Sequence, residues 1–584
     1  MKYEERTPQL RLKLEGWRSR FVLVLAMAGF AVLAGRAFYL QGVDTGFLQA
    51  KGEARYGRVV EMPASRGTVR DRNGKPLAIS TPVESIWADP DDLEADAREV
   101  ASLARALGAS PGEIRQKFAS KDRQFVYLRR QISPDRAAKV MALRIPGVFE
   151  QREYRRYYPD GDLTAHVVGF TDVDDNGQEG IELAEQSRLA GTPGSRKVIR
   201  DRRGRIVDDM ESLRPPRDGE EVDLAIDERL QFLAHRELKA AVARHHAKGG
   251  SLVILDARTG EILALVSMPD YNPNNRTGLT PAQVRNRSVT DLFEPGSTMK
   301  PFTIAAALDD GVVEPDTEIE TAPGHMTIGG WTISDSHPNG LLTVSQVIQK
   351  SSNIGAAKIM LRMPRERMGT LLHDLGFGSA PRTGFPGEAK GLVKPWTEWR
   401  PIEQATISYG QGISVSLLQI ARAYTIFTND GRLLPLSLLK RDTRPIGKPI
   451  ITPRAAREVT RMMESVVMPG GTAPLARVPG YRVAGKTGTA LKPENGRYAE
   501  GKYVSSFVGF GPVSDPRFIV AVMLDEPEGT RNFGGDVGAP VFASVMGAAL
   551  RLMSIAPDAP QTLEVKGAEP GAVEARAAAP GGAG

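Results

Sequence analysis

An uncharged, apolar stretch near the start of the chain separates two polar regions. Residues 21–35 read FVLVLAMAGFAVLAG, and after Arg36 the apolar run continues through AFYL to Leu40. As a helix rising about 1.5 Å per residue, this stretch spans roughly 30 Å, the thickness of a hydrocarbon core. We predict a transmembrane anchor at 21–40, with the basic tail 1–20 in the cytoplasm and the bulk of the chain outside. A cleaved signal peptide, ending at Val32-Leu33-Ala34, is the alternative.

From residue 55 to about 220, short apolar runs alternate with turn signals. Asp71-Arg72-Asn73-Gly74 has the composition of a hairpin turn, and residues 93–118 show helical spacing that breaks at Ser110-Pro111-Gly112. Residues 213–221, LRPPRDGEE, have the Pro-rich, charged composition of a linker. The pattern predicts a separate, mostly-β domain over 55–220.

Beyond the linker, helical and strand patterns alternate. Asp227 precedes a helical pattern, two strands flank a turn at 257–260, two more occupy 504–511 and 518–524, and a helix follows at 538–553. Strands at both ends with helices between them predict one α+β domain at 222–555 whose ends meet in a single sheet. Residues 556–584 are rich in Ala, Gly and Pro, and we predict a disordered tail.

Composition and charge exclude several classes of function. The 584 residues carry 76 Lys and Arg against 70 Asp and Glu, a net charge of only +6, and no cysteine. Disulfides, cysteine-ligated metals and thiol nucleophiles are therefore excluded. Six of the ten residues at 196–205 are basic, but without interleaved aromatic residues this run is typical of a solvated hairpin. We predict no nucleic-acid partner, no metal and no cofactor.

Three short strings carry the candidate chemistry. They are Ser297-Thr298-Met299-Lys300, Ser351-Ser352-Asn353 and Lys486-Thr487-Gly488-Thr489. Each string alone is common, but this order in fitting local contexts is improbable by chance. The set matches the S-x-x-K, S-x-N and K-T-G strings of β-lactamases and penicillin-binding proteins, with Ser352 in place of the aspartate of S-D-N.

The spacing within the first string suits a serine nucleophile. A Pro-Gly turn at 295–296 places Ser297 at a helix N-terminus, where unpaired N–H groups stabilise negative charge. Lys300, three residues on, lies on the same helix face. Burial beside another cation, such as Lys486, would lower its pKa enough for it to accept the Ser297 proton.

The other two strings supply substrate contacts. Lys486 with the hydroxyls of Thr487 and Thr489 can bind a carboxylate, and Gly488 allows a substrate backbone to approach. Asn353 can hydrogen-bond a substrate amide, and Ser351 can relay a proton to a leaving amine. We expect His337 to be structural or to lie at the substrate rim. No histidine has a G-x-S-x-G-like context, which disfavours a Ser-His-Asp hydrolase.

At this level of detail the sequence resembles a class B penicillin-binding protein of the division-specific FtsI type. The resemblance covers nearly the whole chain. It is carried by Arg66-Gly67, Asp71-Arg72-Asn73-Gly74, His166-Val167-Val168-Gly169-Phe170-Thr171, Gly180-Ile181-Glu182, Asp201-Arg202-Arg203-Gly204, Arg285-Asn286-Arg287, residues 293–301, Lys350-Ser351-Ser352-Asn353, Tyr409-Gly410-Gln411-Gly412 and residues 484–490.

The resemblance implies a fold and an activity. A penicillin-binding, β-lactamase-like transpeptidase domain, an antiparallel sheet flanked by helices, would stand on an elongated pedestal above the inner membrane. Ser297 would attack the D-Ala-D-Ala carbonyl of a peptidoglycan stem peptide, with the N–H groups of Ser297 and Thr489 as oxyanion hole. The acyl group would then pass to the amine of a second stem, and β-lactams would acylate the same serine.

The resemblance also implies partners and leaves alternatives. A SEDS-type lipid II polymerase (FtsW-like) and other divisome proteins would contact the anchor and pedestal. An elongation-type class B transpeptidase is one alternative, although the compact length and short tail favour division. A D,D-carboxypeptidase or β-lactamase of the same fold, and a non-enzymatic β-lactam sensor, are others. The large pedestal and the anchor favour the transpeptidase.

Overall fold

The chain forms two compact units. The computed structural model describes residues 15–43, 57–90, 95–119, 125–200, 206–494, 497–529 and 532–559. The smaller unit comprises Met1–Ser65, Pro82–Arg155 and Gly191–Gly219, and the larger one comprises Arg66–Thr81, Arg156–Ala190 and Glu220–Gly584. Each unit is therefore assembled from segments that are distant in sequence.

Two early segments belong to the larger unit. Strand Val69–Arg70 pairs in parallel with Val222–Asp223, and the Asn274 amide donates to the Tyr158 carbonyl at 2.8 Å. Because these bonds tie early residues to the later chain, one cut near residue 221 does not separate the units. The domains predicted at 55–220 and 222–555 stay a prediction, and the structure groups Arg66–Thr81 and Arg156–Ala190 with the later chain.

The apolar stretch near the N-terminus is helical. An α-helix over Gly16–Phe38 continues as a π-helical turn over Tyr39–Val43, and Phe21, Leu25 and Phe30 are each more than half exposed. Gly16–Gly42 is long and apolar enough to cross a membrane, and it is the one such helix in the described part of the chain. The predicted apolar helix at 21–40 is confirmed.

Beyond the N-terminal helix, the described part of the smaller unit combines strands with three further helices. Strands Gly57–Met62, Gly194–Arg200 and Ile206–Arg214 form an antiparallel sheet. The strands of the predicted basic hairpin are thus paired, and its turn at 201–205 lies outside the described residues. Strand Val126–Ile132 pairs with residues 84–88 of strand Pro76–Ala88, and strand Val148–Tyr157 follows. The helices are Ala97–Leu107, Pro111–Phe118 and Pro134–Met141.

The predicted helix break at Ser110 has a clear cause. The Ser110 side chain accepts a hydrogen bond from the Glu113 N–H at 3.2 Å, and the Glu113 carboxylate accepts from the Ser110 N–H at 2.9 Å. This reciprocal capping box starts a new helix rather than continuing the old one. The apolar faces of both helices bury Leu103, Leu107 and Ile114.

A five-stranded antiparallel sheet forms the centre of the larger unit. Its order is Ile262–Met268, Gly249–Asp256, Phe518–Asp525, Arg497–Gly511 and Ala484–Glu494. Gly249–Asp256 pairs with Phe518–Asp525, which confirms that strands from both ends of the predicted domain meet in one sheet. Ala484–Glu494, here named the KTG strand, forms one edge.

Helices cover both faces of this sheet. Glu228–Arg244 and Gly534–Leu552 pack against each other and against the strands, and Leu417–Ala423 also contacts the sheet. All eight residues of Phe518–Asp525 are buried, which requires cover on both faces. Further helices are Lys300–Asp309, Val344–Lys350, Asn353–Leu361, Arg365–Asp374, Pro401–Ile407 and Pro453–Val467. The predicted α+β class is confirmed.

The end of the domain extends further than predicted. The closing helix begins at Gly534, before the predicted start at 538. The predicted start is too late because the glycines of this helix interrupt the apolar period in the sequence. The Asp558 carboxylate accepts from the Arg482 N–H at 2.7 Å, and the Ala559 N–H donates to the Gly480 carbonyl at 3.1 Å. Residues 558 and 559 thus contact the domain. The tail predicted at 556–584 stays a prediction, and its residues from 560 on lie outside the described part of the chain.

Candidate active site

A cleft of about 680 Å³ opens along the KTG strand. Ser297, Ser351, Asn353, Thr487 and Thr489 line it, together with Gly534 at the start of the closing helix. The fold therefore gathers all three strings, although Lys300 and Ser351 are 51 residues apart and Ser351 and Lys486 are 135 apart. His337 also lines the cleft, as predicted for a residue at the rim.

Ser297 lies in a 3-10 turn, Gly296–Met299, that leads directly into helix Lys300–Asp309. Gly296 has a φ of +56°, and a Cβ on it would lie 3.1 Å from the Thr489 carbonyl oxygen. The left-handed backbone and the close strand both require glycine here. The turn thus presents Ser297 at a helix start beside the KTG strand, as the Pro-Gly signal predicts.

Lys300 is fully buried beneath Ser297. Its Nζ lies 2.9 Å from Ser297 Oγ and 2.8 Å from Asn353 Oδ1, and 2.5 Å and 3.1 Å from the carbonyl oxygen and Oγ of Ser351. Burial, reinforced by the nearby charge of Lys486, holds the pKa of Lys300 well below its usual range. The site therefore favours a neutral amine within hydrogen-bonding distance of Ser297.

Lys486 is also fully buried, on the other side of Ser351. Its Nζ donates to Ser351 Oγ at 2.9 Å and to Thr487 Oγ1 at 3.2 Å. Burial lowers the pKa of Lys486 to about 7. The Ser351 hydroxyl consequently lies between two lysine amines and connects them.

The carboxylate contact of Lys486 stays a prediction, and the structure places this residue behind the cleft wall. Its amine is covered and does not line the cleft, whereas Thr487 and Thr489 do. Lys486 therefore reaches the cleft only through the Thr487 and Ser351 hydroxyls. The Thr489 Oγ1 accepts from the Gly534 N–H at 3.0 Å, which leaves its own hydroxyl hydrogen available to a ligand.

Gly488 is required for a different reason from the one predicted. A Cβ at this position would overlap Ser506 Oγ and lie 2.9 Å from the Pro295 carbonyl oxygen. The missing side chain thus lets the KTG strand approach the turn that carries Ser297. The space that a side chain would take is filled by the protein's own atoms, and the approach of a substrate backbone at Gly488 stays a prediction.

Ser351 and Asn353 flank the turn between helices Val344–Lys350 and Asn353–Leu361. Ser351 has a φ of +59°, a left-handed conformation uncommon outside glycine and asparagine. The Asn353 amide donates to the Ser334 carbonyl at 2.9 Å while its Oδ1 faces Lys300. This constrained turn aims both polar side chains at Lys300.

Asp335 is the site residue that sequence reasoning missed. Its carboxylate accepts from Ser352 Oγ at 2.6 Å and from the N–H groups of Asn353 and Ile354 at 2.5 Å and 3.0 Å. It thereby caps the helix that begins at Asn353. Because Asp335 follows strand Trp331–Ser334 and lies 17 residues before Ser352, no local spacing signals it.

Two protein-family models match this chain. Residues 250–547 match the model of the penicillin binding protein transpeptidase domain, and residues 61–224 match that of the penicillin-binding protein dimerisation domain. The chain belongs to the penicillin-binding protein transpeptidase family. The resemblance identified from the motifs is confirmed.

Relatives of this penicillin-binding protein span nearly its full length. It is 45% identical over 549 residues, 93% of this chain and 94% of the other, to a probable peptidoglycan D,D-transpeptidase PenA of Neisseria gonorrhoeae. It is 41% identical over 551 residues, 93% of each chain, to the peptidoglycan D,D-transpeptidase FtsI of Escherichia coli. The transpeptidase domain of Burkholderia pseudomallei penicillin-binding protein 3 is similar in structure, with TM-score 0.54, 48% identity and coverage of 58% of this chain and 98% of that one.

One other polar cluster of this penicillin-binding protein consists of side chains that are already paired. Among the described residues, Asp162, His235 and Asp270 form a group with metal-like spacing. However, Lys239 Nζ lies 2.7 Å from Asp270 and 3.5 Å from Asp162, and His235 pairs with Asp270 at 3.0 Å.

A second cleft, of about 700 Å³ beside Phe170 and Phe385, contains none of the predicted site residues.

Replacing Asp335 by asparagine is expected to weaken the site of this penicillin-binding protein. The amide removes the charge that strengthens the bonds from the Asn353 and Ile354 N–H groups, and its NH2 can no longer accept from the Ser352 hydroxyl. We expect a cost of about 2 kcal/mol of unfolding free energy. Misplacement of Asn353 should slow acylation by a fluorescent penicillin about tenfold. Acylation rates and urea denaturation measure both effects, with the exposed Asp442→Asn as matched control. An acylation rate in D335N equal to that of wild type would show that Asp335 does not support the site.

Proposed function

We propose that this protein is a septal peptidoglycan D,D-transpeptidase that cross-links stem peptides through a Ser297 acyl-enzyme during cell division. The observation that carries the proposal is the buried Lys300 amine, with its lowered pKa, 2.9 Å from Ser297 Oγ in the cleft. The relatives named PenA and FtsI are peptidoglycan D,D-transpeptidases. This supports the peptidoglycan stem as substrate.

In the proposed acylation step, neutral Lys300 accepts the Ser297 proton while Oγ attacks the carbonyl of the penultimate D-Ala. A neutral amine has two N–H donors and one lone pair. Donation to the Ser351 carbonyl and to Asn353 Oδ1 leaves that lone pair for the Ser297 hydroxyl. The N–H groups of Ser297 and Thr489 are proposed to stabilise the oxyanion.

The tetrahedral intermediate then collapses as the C–N bond to the terminal D-Ala breaks. The leaving amine needs a proton, and we assign its delivery to Ser351, whose hydroxyl contacts both lysine amines. Lys486 is the proposed source that restores the proton to Ser351. The same groups act in reverse when the amine of a second stem attacks the acyl-enzyme, so that Ser297 regains its proton.

Substrate contacts in this proposal come from the cleft wall. The Thr487 and Thr489 hydroxyls bind the terminal carboxylate, with Lys486 polarising Thr487 from below. Gly488 brings the KTG strand close enough to Ser297 for this contact. Asn353 receives the substrate amide, and β-lactams acylate the same Ser297 because their strained amide takes the place of the D-Ala-D-Ala bond.

Localisation and partners extend the proposal. The helix Gly16–Gly42 is proposed to anchor the chain in the inner membrane, with its N-terminus cytoplasmic and domains 55–220 (the pedestal) and 222–555 (the transpeptidase) in the periplasm. A SEDS-type, FtsW-like lipid II polymerase and other divisome proteins are the proposed partners.

The membrane orientation is tested with a reporter fused at position 60, whose activity should be found only outside the cytoplasm. Reporter activity in the cytoplasm would contradict the proposed orientation. Co-purification of the polymerase with the full chain tests the partnership, and its loss when the anchor is exchanged is the expected result.

Depletion of the protein from cells tests the septal role. A division enzyme acts only at the septum, so depleted cells should continue to elongate and form filaments several cell lengths long. Microscopy during depletion measures this, with complementation by the wild-type chain as control. Round or bulging cells would indicate elongation instead and would contradict the septal assignment.

A further inference from the structure

A β-hairpin with an exposed tryptophan adjoins the active-site cleft. Strands His325–Ile328 and Trp331–Ser334 pair antiparallel, with Ile328 opposite Trp331 and Met326 opposite Ile333. Trp331 is 62% exposed, among the most exposed large apolar side chains outside the N-terminal helix. Large aromatic side chains left in water at the edge of a cleft are characteristic of ligand-binding surfaces.

The base of this hairpin is fixed to the catalytic residues. Ile333 is only 3% exposed and packs with Ile354 and Tyr409. The Ser334 carbonyl accepts from the Asn353 amide at 2.9 Å, and the next residue, Asp335, binds the N–H groups of Asn353 and Ile354. Trp331 therefore projects from the same strand that orders Asn353 beside Lys300.

The tip of the hairpin leaves room around the indole. Trp331 and Ile333 share one face of the strand because side chains alternate, but only Ile333 is covered by the helices. Next to Trp331, the glycines at 329 and 330 have φ values of +53° and +83°, and a Cβ on either would meet no atom within 4 Å. The indole face is thus presented to solvent on a rigid support.

We propose that Trp331 is a stacking platform for the sugar rings of the glycan strand whose stem peptide occupies the cleft. A pyranose ring has apolar C–H faces and a polar hydroxyl rim, so it packs flat on an indole while its hydroxyls stay in water. The inference rests on the proposed function, because it identifies the part of the same substrate that lies outside the cleft.

The distances agree with this arrangement. Trp331 begins strand Trp331–Ser334 and Asp335 is the next residue, so the two are about 13 Å apart along extended chain. Four stem residues precede the scissile bond of a pentapeptide stem, and in extended form they span a similar length of about 13–14 Å. Asp335 itself contacts Asn353, which contacts Lys300 beside Ser297. The length of an extended stem is thus of the same order as the chain length between Trp331 and Asp335.

The experiment uses glycan chains from which an amidase has removed the stem peptides. Fluorescently labelled chains are titrated with the full-length, detergent-solubilised protein, and anisotropy reports the affinity. Trp331→Ala should weaken binding at least about fivefold, and Trp331→Tyr should restore most of it, because the phenol ring keeps a flat apolar face. Ile446→Ala is the matched control, since Ile446 is 91% exposed and does not line the cleft.

Covalent labelling by a fluorescent penicillin, which contains no sugar, checks that the cleft of each variant is intact. Equal affinity of wild type and Trp331→Ala for the stem-free glycan, or no binding by wild type, would overturn the platform. A protein partner lost on Trp331→Ala, with glycan binding intact, would also overturn it. Glycan binding that depends on Trp331 in a protein without transpeptidase activity would instead contradict only the proposed function.

Discussion

Ser297→Ala is expected to abolish covalent labelling of the full-length protein by a fluorescent penicillin, a loss of more than about a thousandfold. Ser297 Oγ lines the cleft, and the Lys300 Nζ lies 2.9 Å away to remove its proton. The substitution deletes one oxygen and leaves the bonds of Lys300 to Ser351 and Asn353 in place. Gel fluorescence after a timed exposure measures the labelling, and thermal unfolding should stay close to that of wild type.

A control variant and a second variant of Ser297 make the outcome of this experiment clear. Ser379→Ala, an exposed serine outside the cleft, serves as matched control and should be labelled at the wild-type rate. Labelling of Ser297→Ala at that same rate would show that another residue is the nucleophile, and the proposed acyl-enzyme would have to be abandoned. The unfolding curve would show whether Ser297→Ala has lost its labelling because it no longer folds. In that case Ser297→Cys is a second, nearly isosteric variant, and it should be labelled far more slowly than wild type.

Lys300→Arg should slow acylation by at least about a hundredfold. The guanidinium stays protonated at every accessible pH, so it cannot accept the Ser297 proton. Lys300→Met removes the base with less change in volume and should be similarly slow, which separates loss of the base from steric disturbance. The acylation rate constant is measured against penicillin concentration, with Lys358→Arg, outside the cleft, as control. Near-normal acylation in both Lys300 variants would exclude Lys300 as the base.

The pH profile gives this prediction a second readout. Burial and the Lys486 charge lower the pKa of Lys300, so the amine is protonated only below that lowered value. In wild type, the acylation rate constant should therefore fall about tenfold per pH unit below that lowered pKa. Lys300→Arg should lack this acid limb. A wild-type rate that does not change between acid and neutral pH would contradict a proton transfer to Lys300.

Local features of the site were predictable because they depend on short spacings. A Pro-Gly turn followed by a helix places Ser297 and Lys300 within reach of each other, whatever the rest of the chain does. The same holds for the helix that Asp227 caps and for the break at Ser110. The meeting of strands from both ends of the domain was predicted from their apolar patterns.

Other features could not be predicted, since they arise from contacts between distant segments. Asp335 reaches the S-x-N turn from a hairpin that carries no motif. The burial of Lys486 beneath Thr487 depends on strand packing, and so does the filling of the Gly488 space by Ser506 and Pro295. The grouping of Arg66–Thr81 with the later chain likewise results from strand pairing across about 150 residues.

From the sequence alone one learns which side chains the chemistry uses and in what order they occur, because helix and strand periods and turn residues act over a few positions. Only the tertiary structure decides how a hydroxyl at 351 connects two buried amines and which carboxylate orders Asn353. The physical reason is that burial lowers an amine's pKa only once distant segments have packed around it and excluded water.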